Sequence, residues 1–309
     1  MKSLFLPLGL ILSFIVAWSI PEPGSSLKDL GMIPWMVVTI FLVNGYQTNL
    51  SELPKSRSFL YALISGGILS LIISPVIGLG ISELLALPAG IALGIIVTAT
   101  VPPTLSTCIV MTQISGGYPL WSLVMTVILN IIGVFTIPFM LVFLLGGNSN
   151  ITVEPLSLLQ TLVILVLIPF LIGIGAKRIS SLDPKHILLQ YLPSCCIILT
   201  VWMALSDSNE LFHNLKAFTL LQIAAATLLI HFSLMLLSHL LSRLLGLKPR
   251  ERLAMLFTLS QKTLPVSISV LAALEVPIGE AVLTCVLFHF LMLLADSLIT
   301  PRLAILSAK

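Results

Sequence analysis

The segment TLSQKTLP, residues 258–265, places a glutamine and a lysine in the middle of an otherwise apolar tract. Lys262 is the only charged residue between positions 253 and 274, and Pro265 follows three positions later. A proline inside a helix removes a backbone donor and clashes with the preceding turn. The segment therefore predicts a broken helix with a lysine at the break. A lysine at that depth must be solvated, paired or used.

The composition indicates an all-α polytopic membrane protein. Of the 309 residues, 58% are hydrophobic and only 9% are charged, whereas soluble domains carry about 25% charged residues. Crossing the ~30 Å hydrocarbon core takes about 20 apolar residues per helix. The uncharged tracts, together with the sparsely charged stretch 253–301, support ten such spans. The predicted spans are 3–21, 30–48, 57–81, 86–113, 120–146, 156–176, 186–206, 216–242, 250–275 and 278–301.

The basic residues predict the orientation of these spans. With a cytosolic N-terminus, only Lys28 and Lys216 of the 15 Lys and Arg residues lie outside and Lys262 lies in the membrane. The other 12 then face the cytosol, as the positive-inside rule requires. The N-terminal tract superficially resembles a signal peptide but has no Ala-x-Ala-like site before Pro21. We therefore expect a plasma or bacterial inner membrane protein with both termini in the cytoplasm.

A short motif recurs in the two halves of the chain. SELLALP at 82–88 and SRLLGLKP at 242–249 lie 160 positions apart, and five predicted spans separate them. The first copy precedes TATVPPTLST at 98–107, and the second precedes the lysine segment. Interrupted helices in two inverted halves point to a transport site near the membrane midplane. We predict inverted five-helix repeats over 1–150 and 151–309; two ordinary proline kinks are the alternative.

The same segments resemble the bile acid:sodium symporter superfamily. LLALPAGIALGIIVTATVPPTLST is similar to the family's fourth helix and first crossover, and residues 115–141 are similar to the continuation into its fifth helix. FTLSQKTLP and VLFHF, at 286–290, resemble the SBF-like branch, which includes the seventh member of solute carrier family 10. The resemblance implies a panel domain of helices 1, 2, 6 and 7 and a core domain of helices 3–5 and 8–10. It also implies broken, crossing helices 4 and 9, with organic anions bound beside the crossing.

The resemblance also implies where sodium ligands would lie. The family's hydroxyl and amide ligands correspond to Ser106, Thr107, Ser122, Thr126 and Gln261, and its helix 3 glutamine falls at Ser70. The sodium-site glutamate has no counterpart, and Lys262 occupies the adjacent crossover instead. A neighbouring ammonium repels sodium, at about 4 kcal/mol for unit charges 4 Å apart with an effective dielectric of 20. Both sodium and proton coupling stay open, and we expect no cofactor and no structural metal.

Other polar residues in the spans complete the expected binding set. Asp296 is a candidate proton or charge partner of Lys262, although it lies six positions before Arg302 and reaching that arginine or the interface is the alternative. For His289 a carbonyl-bonded structural role is equally expected, and a structural or lumen-facing role is expected for His231. Thr104, Asn130, Ser260 and Thr263 join the set because they lie in or follow the two breaks.

The sequence favours a secondary transporter of a small organic anion that works by alternating access. It shows no nucleotide-binding loop and no nucleophile–base or metal-spaced set, so we expect neither an enzyme nor a nucleic-acid binder. A non-transporting or regulatory protein with the same fold is the alternative. Lys262 is expected to replace a sodium ion, either exchanging a proton or remaining a fixed cation. The expected partners are the anion and the lipid bilayer, in a monomer or weak dimer.

Overall fold

The computed structural model describes residues 2–48, 54, 56–146, 154–180, 183–184, 186–207, 216–274 and 279–307. Lys55, Lys185 and Lys309, three of the residues predicted to face the cytosol, lie outside these ranges. Within them the regular structure is entirely helical. The helices are α1 Lys2–Ser19, α2 Glu22–Asp29, α3 Met32–Gln47, α4 Arg57–Leu84, α5 Ala89–Thr100, α6 Thr107–Ile114, α7 Pro119–Leu145, α8 Pro155–Ile179, α9 Ile187–Asp207, α10 Ala217–Leu244, α11 Pro249–Ser260, α12 Leu264–Ala272 and α13 Gly279–Ser307.

Long apolar helices account for most of the described chain. Seven helical segments there are long and apolar enough to cross a membrane, with α11 and α12 counted as one segment. An eighth is added if α1 and α2, which meet at 101°, form one bent span. α3 and α5 are shorter apolar helices. The predicted all-helical membrane architecture is confirmed, whereas the link predicted between the first two spans is itself helical, because α2 fills it.

Both predicted helix breaks are present. α5 ends at Thr100 and α6 begins at Thr107, while α11 ends at Ser260 and α12 begins at Leu264. The residues that follow the two helix ends, Val101 and Gln261, have extended backbones with ψ angles of 155° and 151°. Prolines at positions 102, 103 and 265 account for the interruptions, because they donate no backbone hydrogen bond.

The 160-residue offset of the sequence motif is reproduced in the helices. α4 and α10 both have 28 residues and begin at Arg57 and Ala217, while α5 and α11 both have 12 residues and begin at Ala89 and Pro249. The turns between them are also alike. Leu87 N donates to Ser82 O at 3.0 Å and Leu247 N donates to Ser242 O at 3.1 Å. In both turns one residue is left-handed, Ala86 with φ 46° and Gly246 with φ 63°.

Two groups of helices pack among themselves. In the first group, α3 packs against α8 and α9, and α9 also packs against α1 and α2. Their backbones approach closely where Gly45 and Gly173 meet: an added Cβ at Gly173 would lie 2.1 Å from Leu42 O. In the second group, α11 packs against α6, α7 and α10, and α13 packs against α5 and α10.

The broken helix α11–α12 lies deepest in the protein. In its most apolar 18-residue window 94% of the residues are buried, compared with 28–44% for the spans α4, α7, α8, α9 and α10. The other helices therefore shield its freed backbone groups from lipid, which a break within a membrane requires.

Candidate functional site

The two breaks contact one another, as the sequence predicted. Thr263 N, in the second break, donates to Pro102 O, in the first, at 3.0 Å. Asn130 on α7 supports the first break from behind, because its Nδ2 donates to Pro103 O at 2.9 Å. These bonds satisfy backbone groups that the interrupted helices cannot pair internally.

Gln261 joins the second break to the first through its side chain. Its Oε1 accepts from Thr104 Oγ1 at 2.9 Å and from Thr107 Oγ1 at 2.6 Å, and the two hydroxyl oxygens lie 2.6 Å apart. Gln261 is fully buried and Thr104 is nearly so. Thr104, Thr107 and Gln261, three of the predicted site residues, therefore form one compact oxygen cluster.

The other end of the Gln261 amide meets a buried carboxylate. Gln261 Nε2 donates to Asp296 Oδ2 at 2.6 Å. The second oxygen, Asp296 Oδ1, lies 3.0 Å from His231 Nε2, and His231 Nδ1 lies 3.1 Å from Ser260 O. The side chains of His231 and Asp296 are both fully inaccessible. A hydrogen-bonded row thus runs from α10 through α13 to both breaks.

The side chain of Lys262 lies apart from the Gln261 cluster, between α4 and the first break. Its Nζ donates to Ser70 O at 2.8 Å and to Val101 O at 3.1 Å, with Ser70 Oγ at 3.4 Å. Ser70 lies in the π-helical turn Leu69–Ile73 of α4, where the wider winding turns carbonyls away from their usual partners. Lys262 is fully buried. The ammonium therefore binds backbone oxygens where α4 meets the first break.

The structure does not pair Lys262 with Asp296, so the predicted charge partnership is wrong for this conformation. Among the described residues, the ion pairs are Lys28–Asp207 and His231–Asp296. The reason is the extended backbone at the break, because successive extended residues point to opposite sides. Gln261 is thereby directed to Asp296, and Lys262 is directed away from it. Asp296 is fully buried, so the interfacial alternative is also wrong.

His289 on α13 contacts the lysine through the backbone. Its Nδ1 lies 3.3 Å from Lys262 O, which is the carbonyl bond expected for a structural histidine. Its Nε2 has no hydrogen-bond partner among the described residues, although only 4% of the residue is accessible. Because Nδ1 faces a carbonyl and carries the ring hydrogen, Nε2 is a hydrogen-bond acceptor. His289 also lines a cleft.

Some predicted site residues lie apart from the oxygen cluster. Ser122 Oγ lies 2.8 Å from Thr112 Oγ1 and donates to Ala254 O at 3.3 Å. Thr126 Oγ1 lies 3.2 Å from Cys108 Sγ. The hydroxyl of Ser260 has no partner in the described part of the chain. The implied set of hydroxyl ligands is therefore not assembled around Gln261 in this conformation.

A cleft of about 90 Å³ opens beside the breaks. The breaks contribute Thr104, Ser106, Thr107 and Thr263. Polar residues of α3 and α9 face them across the cleft: Asn44, Gln47, Gln190 and Ser194. Among the described residues, the lining contains no Asp, Glu, Lys or Arg. α6 and α12 both begin at this cleft, so the partial positive charge of two helix N-termini is directed toward it.

Sequence reasoning missed His231 as the partner of Asp296, and it assigned no role to Thr112. One general feature pointed to His231: an ionisable residue within a membrane span is a functional candidate by default. No group of three or more His, Cys, Asp or Glu suited to a metal ion occurs in the described ranges.

The chain is similar to known transporters over nearly its whole length. The SBF-like CPA transporter family matches residues 5–305. A protein of Oryza sativa subsp. indica named probable sodium/metabolite cotransporter BASS4, chloroplastic, is 26% identical over 96% of this chain and 75% of its own length. The protein of the same name from Arabidopsis thaliana is 25% identical over 96% of this chain and 71% of its own. An uncharacterized Pseudomonas aeruginosa protein is 24% identical over 74% of this chain and 71% of its own.

These matches agree with the resemblance seen in the crossover motifs, and the related names describe cotransporters of sodium and metabolites. An integral membrane transporter also accounts for the long apolar helices and for the buried breaks at their centre. The chain therefore belongs to the SBF-like CPA transporter family, which is related to the bile acid:sodium symporters.

Proposed function

We propose that this protein is a secondary transporter that carries a small organic anion across the plasma or bacterial inner membrane by alternating access. The observation that carries the proposal is the cleft between the two helix breaks and the α3–α9 face. Two helix N-termini, and a lining without carboxylates among the described residues, suit an anionic ligand. Its volume of about 90 Å³ suits a small one.

The proposed architecture is ten spans in two inverted repeats, 1–150 and 151–309. The exact 160-residue offset of α4–α5 and α10–α11 supports the repeat. The panel would comprise α1, α3, α8 and α9 with α2, and the core would comprise the remaining helices. The cleft would then lie at the panel–core interface, so that movement of the core alternately exposes it to each side.

Lys262 would take the place of a co-transported sodium ion. Its ammonium has three oxygen acceptors, Ser70 O, Ser70 Oγ and Val101 O, which belong to the ligand type that a sodium ion requires. Unlike a sodium ion, the ammonium is covalently attached to the protein and cannot leave with the transported anion. We therefore expect transport without sodium coupling, driven either by the anion gradient or by exchange of a proton on the ammonium.

The test is flux into proteoliposomes. A thermal-shift screen of purified protein against small organic acids selects the labelled probe, and its uptake is then compared in sodium and potassium buffers and under an imposed pH gradient. We expect saturable uptake that is unchanged by sodium. Lys262→Gln should lose most of this flux, whereas Lys216→Gln, an exposed lysine just before α10, serves as the matched control.

The outcomes separate the alternatives. A flux that strictly requires sodium would reject the replacement of sodium by Lys262, as would unchanged transport in folded Lys262→Gln protein. A response of wild-type flux to the pH gradient that Lys262→Gln lacks would identify the lysine as the proton carrier. No saturable flux for any acid that stabilises the protein would favour a non-transporting role.

A further inference from the structure

The oxygen cluster of Thr104, Thr107 and Gln261 has a fixed hydrogen-bond polarity. Its three oxygens lie 2.6–2.9 Å from one another, and the two hydroxyl groups supply only two hydrogens for these three contacts. Both hydrogens are therefore used inside the cluster. Thr104 and Thr107 also line the cleft. Thr104 Oγ1 already accepts from Cys108 N at 3.3 Å, so the lone pairs that remain for a ligand are mainly those of Thr107 Oγ1.

This polarity depends on which end of the Gln261 amide faces the threonines. The two ends of an amide have nearly the same shape, and hydrogen-bond partners decide its orientation. Asp296 Oδ2, 2.6 Å from the far end, decides it here because a carboxylate oxygen accepts and the NH₂ group must face it. If the amide were reversed, its NH₂ would donate to the threonines and free one hydroxyl hydrogen for the cleft.

His231 in turn holds Asp296 in place. Its Nδ1 faces a carbonyl, Ser260 O, and therefore carries a hydrogen. Its Nε2 faces Asp296 Oδ1 at 3.0 Å, so one further proton lies between them, on either atom. The pair is electrically neutral in both cases. A neutral, fully hydrogen-bonded pair costs far less to bury than an isolated carboxylate, which explains how Asp296 is tolerated inside the protein.

We propose that His231 and Asp296 are positioning residues that orient Gln261, so that the cleft recognises a hydrogen-bond donor on its ligand at Thr107. This inference rests on the proposed transport function and narrows its substrate class. The cargo is a small organic anion that carries a hydroxyl or N–H group close to its acidic group. The helix N-termini receive the acidic group, and Thr107 Oγ1 receives the donor.

The test compares potassium glycolate with potassium acetate, two acids that differ by one hydroxyl group. Binding to the purified full-length protein is measured by titration, with thermal unfolding as the readout. A single additional hydrogen bond predicts glycolate binding about fivefold tighter. Thr107→Val should remove the preference, so that glycolate and acetate bind with equal affinity. The matched control is Ser269→Ala, because that hydroxyl bonds within its own helix, to Pro265 O.

Two substitutions of Asp296 test the positioning role. Asp296→Asn can accept from Gln261 and donate to neutral His231, so the amide keeps its orientation and the preference for glycolate should persist. Asp296→Leu removes the acceptor, so the preference should disappear even where acetate still binds. A generally structural role would instead weaken binding of both acids in parallel.

Several results would overturn the proposal. These are equal binding of the two acids by wild-type protein, no saturable binding of either, or a preference that survives in Thr107→Val. Stabilisation by sodium chloride but not potassium chloride, abolished in Thr107→Val, would also overturn it, because the lone pairs would then serve a cation. If the organic-acid screen still finds a transported anion, the proposed function survives any of these failures.

Discussion

At the scale of single residues, positions 86 and 246 occupy equivalent turns but differ in their fit to the backbone. Both are left-handed, at φ 46° and φ 63°, a conformation that costs a residue with a Cβ roughly 1–2 kcal/mol. Ala86→Gly should therefore raise the free energy of unfolding by about 1 kcal/mol, and Gly246→Ala should lower it by a similar amount. A Cβ at 246 meets nothing within 4 Å, so no clash adds to the effect.

Denaturant unfolding in detergent micelles measures both changes. The double variant, which exchanges alanine and glycine between the turns, should return close to the wild-type stability, since changes at separate sites add. Destabilisation by Ala86→Gly would contradict the assignment of strain to that alanine.

For Lys262 the sequence predicts the position in the chain but not the hydrogen-bond partners. Its depth follows from the apolar tract around it, and its association with a break follows from Pro265. Its partners do not follow, because the direction of a side chain at an irregular segment depends on each φ and ψ angle. Gln261 and Lys262 are adjacent and diverge, so Asp296 pairs with the amide and not with the ammonium.

At the scale of helices, the contact between α3 and α8 depends on two glycines. A Cβ at Gly173 would lie 2.1 Å from Leu42 O and 2.7 Å from Tyr46 N, which are backbone atoms that cannot rotate aside. Gly173→Ala should separate the helices and lower the free energy of unfolding by about 2 kcal/mol, the usual cost of overpacking.

Gly175→Ala is the matched control two positions along the same helix. Nothing lies within 4 Å of its added Cβ, so the higher helix propensity of alanine should leave stability unchanged or increase it by up to about 1 kcal/mol. The same unfolding assay compares the two variants. Equal stabilities would show that α3 and α8 do not approach as closely as described.

The helices differ in how readily the sequence reveals them. Both breaks were predictable because prolines and hydroxyl residues interrupt otherwise apolar tracts. α2 was not, because its sequence EPGSSLKD is short, polar and contains Pro and Gly, which are typical of a turn. The π-helical turns Leu69–Ile73 and Val163–Leu167 have no local signature either, since their residues also suit an α-helix.

At the scale of the whole molecule, the distribution of basic residues predicts which loops face outward. Single cysteines replacing Ser25 or Leu211, on a cysteine-free background, should react with a membrane-impermeant maleimide from outside intact cells. Cysteines replacing Ser181 or Pro249 should react only after permeabilisation, because basic residues cluster around both positions. Labelling of position 181 from outside would reject the orientation. Positions 181 and 211 lie outside the described residues.

The overall architecture was the most predictable level. Hydropathy alone identified the long helices, since lipid permits no polar interruption that is not buried. The candidate site was predictable only in part. Thr104, Thr107 and Gln261 do meet, but Ser122 and Thr126 pair elsewhere, with Thr112 and Cys108. Matching residues to the family's ligands gives only their positions along each helix. The packing of neighbouring helices decides which hydroxyls converge.

The π-helical turn that supplies Ser70 also affects how the two halves of the chain can be compared. α4 and α10 have equal lengths and begin 160 positions apart, so counting alone pairs their residues without a gap. A π turn winds more residues into one turn than an α-helix does, and each residue of an α-helix advances by about 100°. Beyond the turn, residues paired by number therefore face different directions in the two helices. An alignment that matches faces must shift by one position at Leu69–Ile73 even though the sequences show no insertion there.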